Sequence, residues 1–584
     1  MTEETRTKKL INAPEAVIDE MIEGLLAAHP DLLRRDGETL RAVAAVDGPR
    51  EGKVGIVVGG GSGHEPAFVG YVGRGLADAA AIGNVFASPS PAQVADAVRA
   101  ADGGAGVLML YGNYSGDVMN FGMAAEMLEE EGIAARSLLV TDDAASAPIG
   151  REGERRGIAG GFFVFKAAGA AADLGHDLDE VARLAAHANA RTRSMGVALG
   201  ACSLPQTRRP NFTIGADEME IGMGIHGEPG IERTQLETAD AVAERLLAPI
   251  IQELALGQGD RVAVLVNGLG STSLMELYIL HRHVAGRLEA LGVAQACCWV
   301  GNYVTALEMA GASLSVLKLD DELEPLIAHP CRTPALQVGL PAAPTSAPAA
   351  RPVRQRPEMR SEAPQGPLET GGEISAALFR TMLLAAGERV IAEADVLSAL
   401  DGALGDGDHG VTMETGFRAV ARALDALPQD AAPNVLCDAA AQAFLDAVGA
   451  SAGPLYATGL RHAGRAVAHR GDLDAASLTA WIRAMAEGIA ERGGARPGDK
   501  TMLDAWAPAA EAAEDALRDG GGAEACLAAA AQAAQAGRDA TEAMWARRGR
   551  AAKLGDRALG HIDPGAASAA LILAAMSAAQ GRDI

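Results

Sequence analysis

Cysteine, basic charge and long apolar runs are all scarce in this chain, and each shortage closes off a class of function. Six cysteines in 584 residues, Cys202, Cys297, Cys298, Cys331, Cys437 and Cys526, include no C-x-x-C pair. So few thiols make no disulfide framework and point to a reducing cytoplasmic setting. Lys and Arg number 50 against 76 Asp and Glu, a formal net charge of −26. Nucleic-acid binding asks for a basic footprint, so that partner class is set aside. An acidic enzyme that binds a polyphosphate needs a metal to bridge the repulsion, and the charge in that respect hints at Mg²⁺. The most apolar stretch, near Ala566 to Ala579, is too short to span a bilayer and is rich in Ala and Ser. The opening Met-Thr-Glu-Glu-Thr-Arg carries no apolar signal core. A soluble protein with no membrane partner is expected.

What is present divides into two halves. The length exceeds what one core usually supports, and a hydrophobic fraction of 49% can fill several. Before Thr333, short β-branched runs alternate with helical segments. Val54–Val58 leads into a glycine cluster, Val107–Tyr111 into "GNYSGD", 137–140 into "TDDAA" and Val262–Val266 into "NGLGSTS". Strand, glycine or polar loop, then helix is the mark of an α/β fold with a mainly parallel sheet. Ligands in such folds sit beyond the carboxyl ends of the strands. Residues 8–332 are read as this half, in two α/β lobes dividing near Arg193. Residues 333–367, rich in Pro and Ala without apolar periodicity, read as a tether. From 368 to 582 strand signals vanish; Ala- and Leu-rich helical spacing predicts an all-α bundle or barrel.

In the first half, Gly59-Gly60-Gly61-Ser62-Gly63-His64-Glu65-Pro66 follows the first clear strand. Its glycines would let backbone N–H groups approach a ligand. It is neither a Walker A loop, lacking Gly-Lys-Ser/Thr, nor the dinucleotide pattern, since His64 takes the last glycine position. Asp117, in Asn113-Tyr114-Ser115-Gly116-Asp117, is either a general base or an N-cap; on residue type alone the cap is favoured. Asp142 and Asp143 read as caps. His226 lies between glycines in "GADEMEIGMGIHGEPG", with Glu218, Glu220 and Glu228 close by. A neutral imidazole adds to an electrophilic carbonyl, and a carboxylate can hold the required tautomer. So many glycines make a merely structural histidine the weaker alternative.

In the second half, Asp401, Asp406 and Asp408 in "LDGALGDGDHG" suit a hard cation such as Mg²⁺. An EF-hand is excluded, because Gly410 and Val411 fall where its loop needs its fifth and sixth residues. Gly449-Ala450-Ser451-Ala452-Gly453 matches the hydrolase nucleophile elbow formally, but no strand precedes it. A helix entry that donates to phosphate is the better use. Two further segments stand out, "RPGDKTMLDA" and the basic, glycine-rich "GRAAKLGDRALGHIDPGA"; the second suits a flap over a nucleotide.

The segments "KKLINAPEAVIDEMIEGL", "GGGSGHEP", "NYSGD", "RGIAGG", "MGVAL" and "DEMEIGMGIHGEPG" resemble the substrate-binding half of the dihydroxyacetone kinases, in order over most of residues 8–330. "GDGDHG", "GASAGPLY" and the last two segments resemble the ATP-binding half. The resemblance implies an ATP-dependent kinase for a small ketose, dihydroxyacetone or an erythrulose-type tetrulose, held as a hemiaminal on His226. It implies that His64 and Asp117 flank the reacting hydroxyl, with Asp117 as base, and that Gly61, Ser62 and Gly63 cradle the substrate. Asp401, Asp406 and Asp408 would hold two Mg²⁺ ions. His409, Thr412, Gly449, Ala450, Ser451, Gly498, Arg557, Asp563 and Gly565 would line the nucleotide site, and a homodimer is implied. Absence of an evident phosphocarrier domain favours ATP as donor. Gly112 stands where the family usually has Lys, Phe68 where it commonly has His, and Ala450 and Ala452 depart mildly from the serine loop. Loss of the Lys leaves space and suggests a ketose larger than dihydroxyacetone. Two other readings are an FMN-forming cyclase side activity and a non-catalytic sensor or transcriptional partner. The second would predict loss of His226 or of the aspartates, and all are present.

Overall fold

A computed structural model describes residues 6–339, 368–405 and 407–580. The chain forms two compact units, Met1–Arg351 and Pro352–Ile584.

The first unit carries twelve strands in two six-stranded sheets, plus a short hairpin. In chain order these are β1 (Leu33–Asp36), β2 (Ala42–Ala45), β3 (Gly55–Ser62), β4 (Ala79–Val85), β5 (Val107–Gly112) and β6 (Ala135–Val140). There follow β7 (Thr192–Ala198), β8 (Glu218–Ile221), β9 (Glu232–Gln235), β10 (Arg261–Gly268), β11 (Ala294–Gly301) and β12 (Gly311–Leu319). The first sheet runs β1-β2-β4-β3-β5-β6 and the second β11-β10-β12-β7-β8-β9. In the first, β4, β3, β5 and β6 are parallel, with α-helices after β4 and β5 as strand–helix alternation predicts and only a 3₁₀ turn, Val69–Tyr71, between β3 and β4.

The second sheet departs from that expectation. Only β10 and β11 pair parallel, with the Leu274–Ala290 helix as their crossover; the other neighbours are antiparallel. Parallel neighbours need a crossover of a dozen or more residues, usually helical. No helix separates β7 from β8 or β8 from β9, so those strands fold back directly.

The second sheet begins at Thr192, yet one apolar core serves both sheets. It joins Val58 and Leu108 of the first sheet to Ala263, Leu265 and Leu317 of the second through Phe162 and Phe163. Those two belong to the Gly161–Asp173 helix, buried from Gly161 to Ala172. A helix apolar on every face belongs inside a core. The unit also continues past residue 333, where the composition changes. Gln337–Val338 (β14) pairs with Cys331–Arg332 (β13), and Leu336 is buried. The rest of the expected tether, from 340 to 367, lies outside the described residues.

The second unit holds nine α-helices and no strand among the described residues. Neighbours in sequence pack on one another, and the Pro564–Gln580 helix packs on Ala376–Ala392, closing the ring. Phe379, Phe444, Trp481 and Trp506 fill its interior.

Candidate active site

Four parallel strands end at one edge of the first sheet, and the chain leaving each supplies a group there. β3 leads to His64, β4 to Phe86, β5 to Tyr114 and Asp117, and β6 to Asp142 and Asp143. The glycines after Val58 do not form the expected loop: Gly59 to Ser62 continue β3. A Cβ on Gly59 would lie 2.8 Å from Ala81 O, and one on Gly61 2.7 Å from Ala87 N. These glycines let strands and chain pack closely. Ser62 Oγ donates to Gly83 O at 2.8 Å, and Gly63 N–H donates to Glu65 Oε2 at 2.9 Å. The Gly63–Glu65 turn is then stapled to the β11–β12 connection, with Leu307 N–H donating to Gly63 O (2.7 Å) and Thr305 Oγ1 to Glu65 O (2.9 Å).

That staple aims His64 at His226, their Nε2 atoms 3.0 Å apart. His64 Nδ1 lies 2.7 Å from Thr305 O, a pure acceptor, so this nitrogen carries the hydrogen. His226 Nδ1 lies 2.9 Å from Glu228 Oε1 and likewise donates. Each ring, when neutral, therefore turns an Nε2 lone pair toward the other. At 3.0 Å two facing lone pairs repel, and a proton shared between the two atoms relieves that. Phe86 stacks on His64 and Tyr114 stands edge-on to His226, so both imidazoles are dry and nearly inaccessible.

Burial, then His226, pushes the His64 pKa down from 6.5 to about 3. Below pH 6.5 the unfolded chain takes up a proton at this ring that the native state refuses. Stability is therefore whole above pH 6.5 and drains as pH falls toward 3, by at most about 1.4 kcal/mol per pH unit. His64→Gln, whose amide N–H can still reach Thr305 O, should lose less stability between pH 7 and pH 5 in urea unfolding. An equal loss in wild type and variant would refute this.

Of three candidate carboxylates, the fold selects Glu228. Its Oε2 also accepts the His226 backbone N–H at 3.0 Å. Glu220 instead pairs with Arg233, and Glu218 accepts Gly215 N–H. Behind Glu228 stands Arg156, its Nη1 3.9 Å from Glu228 Oε2, its other nitrogens donating to Asp143 Oδ2 (2.8 Å) and Gly222 O (3.0 Å). The reading of Asp142 and Asp143 as caps is thus corrected. Asp143 pairs with Arg156, and Asp142 accepts N–H groups from Ile158 (2.8 Å) and Gly160 (2.7 Å). Both carboxylates clamp the segment that delivers Arg156. Asn211 Nδ2 holds His226 O at 2.9 Å. Arg156, Asn211 and Thr305 escaped sequence reasoning; the only signal was the pair of aspartates at a parallel strand end.

Asp117 is not an N-cap. Tyr114 occupies the N-cap position of the Ser115–Glu130 helix without a side-chain cap, and Asp117 lies buried in its first turn, where the helix dipole favours a carboxylate. A Cβ on Gly112 would lie 2.8 Å from Tyr114 Cε2, so the tyrosine ring takes up the space that the missing lysine leaves. Phe68 covers Gly60 and meets His64 edge-on. Of the two departures from the family pattern, Phe68 puts aromatic surface at the site, and Gly112 lets the Tyr114 ring lie close against the backbone.

In the second unit, Asp401 and Asp408 are brought together at one turn, whereas Asp406 lies outside the described residues. Asp401 Oδ2 accepts the N–H groups of Asp408 (3.0 Å) and His409 (3.3 Å). His409 Nε2 lies 3.0 Å from Ser568 Oγ on the last helix, and Thr412 follows one turn on. Ser451 stands at the entry of the Ala452–Ala466 helix, after Gly449 and Ala450. Asp504, unnoticed in the sequence, accepts N–H groups from Gly498 (2.5 Å) and Thr501 (2.8 Å). Asp563 caps the Pro564–Gln580 helix through Ala566 N–H at 2.7 Å, beside Gly565. Burial first, and then the charges of Asp504 and Asp401, push Asp563 up to about 7. Arg557 is exposed on the short 3₁₀ segment Arg550–Ala558.

Comparison with known proteins follows this division. The Dak1 domain family matches residues 23–335 and the DAK2 domain family residues 403–578. L-erythrulose kinase of Pectobacterium atrosepticum is 40% identical over 98% of this chain and 97% of its own. D-erythrulose kinase of Mycolicibacterium smegmatis is 39% identical over 96% and 97%. The crystal structure of dihydroxyacetone kinase from C. freundii in complex with AMP-PNP and Mg²⁺ is 30% identical, covers 98% of this chain and 99% of that one, and superposes with a TM-score of 0.53. An α/β unit followed by a helical ring, matched over nearly its whole length by named kinases, is a phosphotransferase with an alcohol group as acceptor. The chain belongs to the dihydroxyacetone kinase family.

Proposed function

We propose that the chain transfers the γ-phosphoryl group of ATP to a terminal hydroxyl of a small ketose, of the erythrulose or dihydroxyacetone kind, held covalently on His226. The observation that carries this reading is the contact of two Nε2 atoms at 3.0 Å with Glu228 behind one of them. With Nδ1 committed to Glu228, the His226 lone pair sits on Nε2, the nitrogen able to add to a carbonyl carbon once the ring turns from His64. The His226 Nε2 lone pair forms the N–C bond, and the C=O π pair moves onto oxygen, which takes up a proton from solvent. Glu228, through the Nδ1–H, offsets the positive charge left on the ring. His64 Nε2, still a lone pair, accepts a hydrogen bond from the new hydroxyl. Asp117 then takes the proton of the terminal hydroxyl as that oxygen attacks phosphorus and ADP departs. Relatives named for both erythrulose enantiomers support a four-carbon substrate.

Asp401 and Asp408, with Asp406 in the same motif, fit Mg²⁺. They are hard oxygen donors, and Asp401 and Asp408 are held at one turn, where Asp401 accepts the Asp408 N–H at 3.0 Å. Bound there, Mg²⁺ supplies charge neutralisation for the triphosphate. His409 and the Ser451 helix entry would orient phosphate oxygens. The ketose and nucleotide sites occupy different units, so transfer requires them to meet, within one chain or between two chains of a homodimer, in the cytoplasm.

A coupled ADP-release assay with ATP–Mg²⁺ tests the reading on dihydroxyacetone, D- and L-erythrulose, glyceraldehyde and glycerol. Turnover of a ketose at least about a hundredfold above glycerol is expected, because only a carbonyl can be captured and capture orients the hydroxyl. Equal rates with glycerol, or none with any carbonyl compound, would reject it.

A further inference from the structure

Lys500 is almost wholly buried and belongs to none of the roles above. Its ammonium spends its donors on backbone carbonyls: Ala558 O at 2.5 Å, His561 O at 2.7 Å and Met544 O at 3.4 Å. An ammonium in a dry site costs free energy unless its protons are matched, and here three carbonyls from two separate strands of chain match them. Met544 precedes and Ala558 and His561 follow the stretch 545–557, which holds Arg547, Arg548 and Arg557 and overlaps the start of the basic, glycine-rich segment that begins at Gly549. The three bonds thus tie together both ends of that stretch. Two other contacts reinforce the closure: Gly560 N–H donates to Glu542 O (2.9 Å), and Arg547 N–H to Asp499 O (3.0 Å). On its own side, Lys500 rides the turn that Asp504 fastens through Gly498 and Thr501. It holds a left-handed backbone, φ +62°, which a β-carbon-bearing residue adopts only when its surroundings demand it. Lys500 therefore joins the neck of that stretch to the turn that Asp504 fastens.

We propose that Lys500 is a positioning residue that pins the neck of a flap, residues 545–557, and so sets how firmly the flap closes on the nucleotide. This rests on the reading of the second unit as the ATP site. Without the pin the two ends of the flap part and closure must be paid from nucleotide binding. The ketose pocket, in the other unit, is untouched.

Lys500→Met is the test, with steady-state kinetics and limited trypsin digestion, since Arg547, Arg548 and Arg557 on the flap are exposed. The Michaelis constant for ATP–Mg²⁺ is expected to rise about tenfold or more, with that for the ketose unchanged and kcat falling less. Flap cleavage should quicken, and AMP-PNP–Mg²⁺ should protect wild type but not the variant. Lys500→Arg, which keeps a cation able to reach two of the carbonyls, should recover part of both effects. An unchanged constant for ATP with unchanged cleavage overturns the proposal. Loss of the fold in both variants also overturns it, since Lys500 would then be framework rather than flap. Failure of the ATP reading is distinguishable: wild type itself would then gain no protection from AMP-PNP–Mg²⁺.

Discussion

His226→Ala will release ADP in the presence of a ketose at least about a thousandfold more slowly than wild type, a loss of about 4 kcal/mol in transition-state stabilisation. Intramolecular reactions of well-oriented groups gain roughly 7–11 kcal/mol from entropy spent in advance, and the proposed covalent capture would secure that gain for a small, flexible sugar. The pocket offers little else to grip with. Phe86, Tyr114 and Phe68 are its aromatic walls, and the lysine usual in the family is Gly112 here. Alanine removes the nucleophile and leaves the Asn211 bond to the backbone carbonyl in place. The melting temperature and the affinity for AMP-PNP should therefore hold. With a ketose labelled at its carbonyl carbon, the NMR signal should move to the tetrahedral region on binding wild type and stay in the carbonyl region with the variant. A variant that turns over ketose within tenfold of wild type would end the covalent reading.

How much of this site shows in the sequence depends on how far each contact reaches along the chain. His64 and His226 stand out because glycines surround them, a local property. Glu228 is one of three glutamates near His226, and only the fold separates them: Glu220 lies on β8 and pairs with Arg233, whereas Glu228 lies past the turn and doubles back on His226. Arg156 and Thr305 lie 70 or more positions from His226 in sequence, and no periodicity reports contacts of that span. Asp143 at a strand end has the local signature of a cap, yet a buried arginine wins it, because a charge in a dry core must be paired. The same limit explains the second sheet. The run from Val262 to Val266 reads correctly as a strand, but its antiparallel partner β12 and the turns that bring in β7 to β9 are long-range choices. The helical half was more legible, since ring closure uses mostly neighbours in sequence.

Asp401→Asn will lower turnover by at least about a thousandfold while ketose capture at His226 persists, the reverse of the His226→Ala pattern. The substitution changes charge and little else. Asp401 uses one carboxylate oxygen to accept the N–H groups of Asp408 and His409, and the asparagine carbonyl can accept both. The turn should survive. On the proposed reading, what disappears is one anionic ligand for Mg²⁺, and with it part of the neutralisation that a triphosphate needs to enter a chain of net charge −26. The apo protein should be no less stable, since Asp401 is one of the charges that raise Asp563 and buried like charges repel. Wild type should gain melting temperature from AMP-PNP–Mg²⁺, because a ligand that binds only the native state stabilises it, and the variant should gain almost none. Stability kept while nucleotide stabilisation and turnover are lost would tie Asp401 to the metal. A variant that unfolds, or one that still responds to AMP-PNP–Mg²⁺ as wild type does, would place Asp401 in the framework of the turn instead.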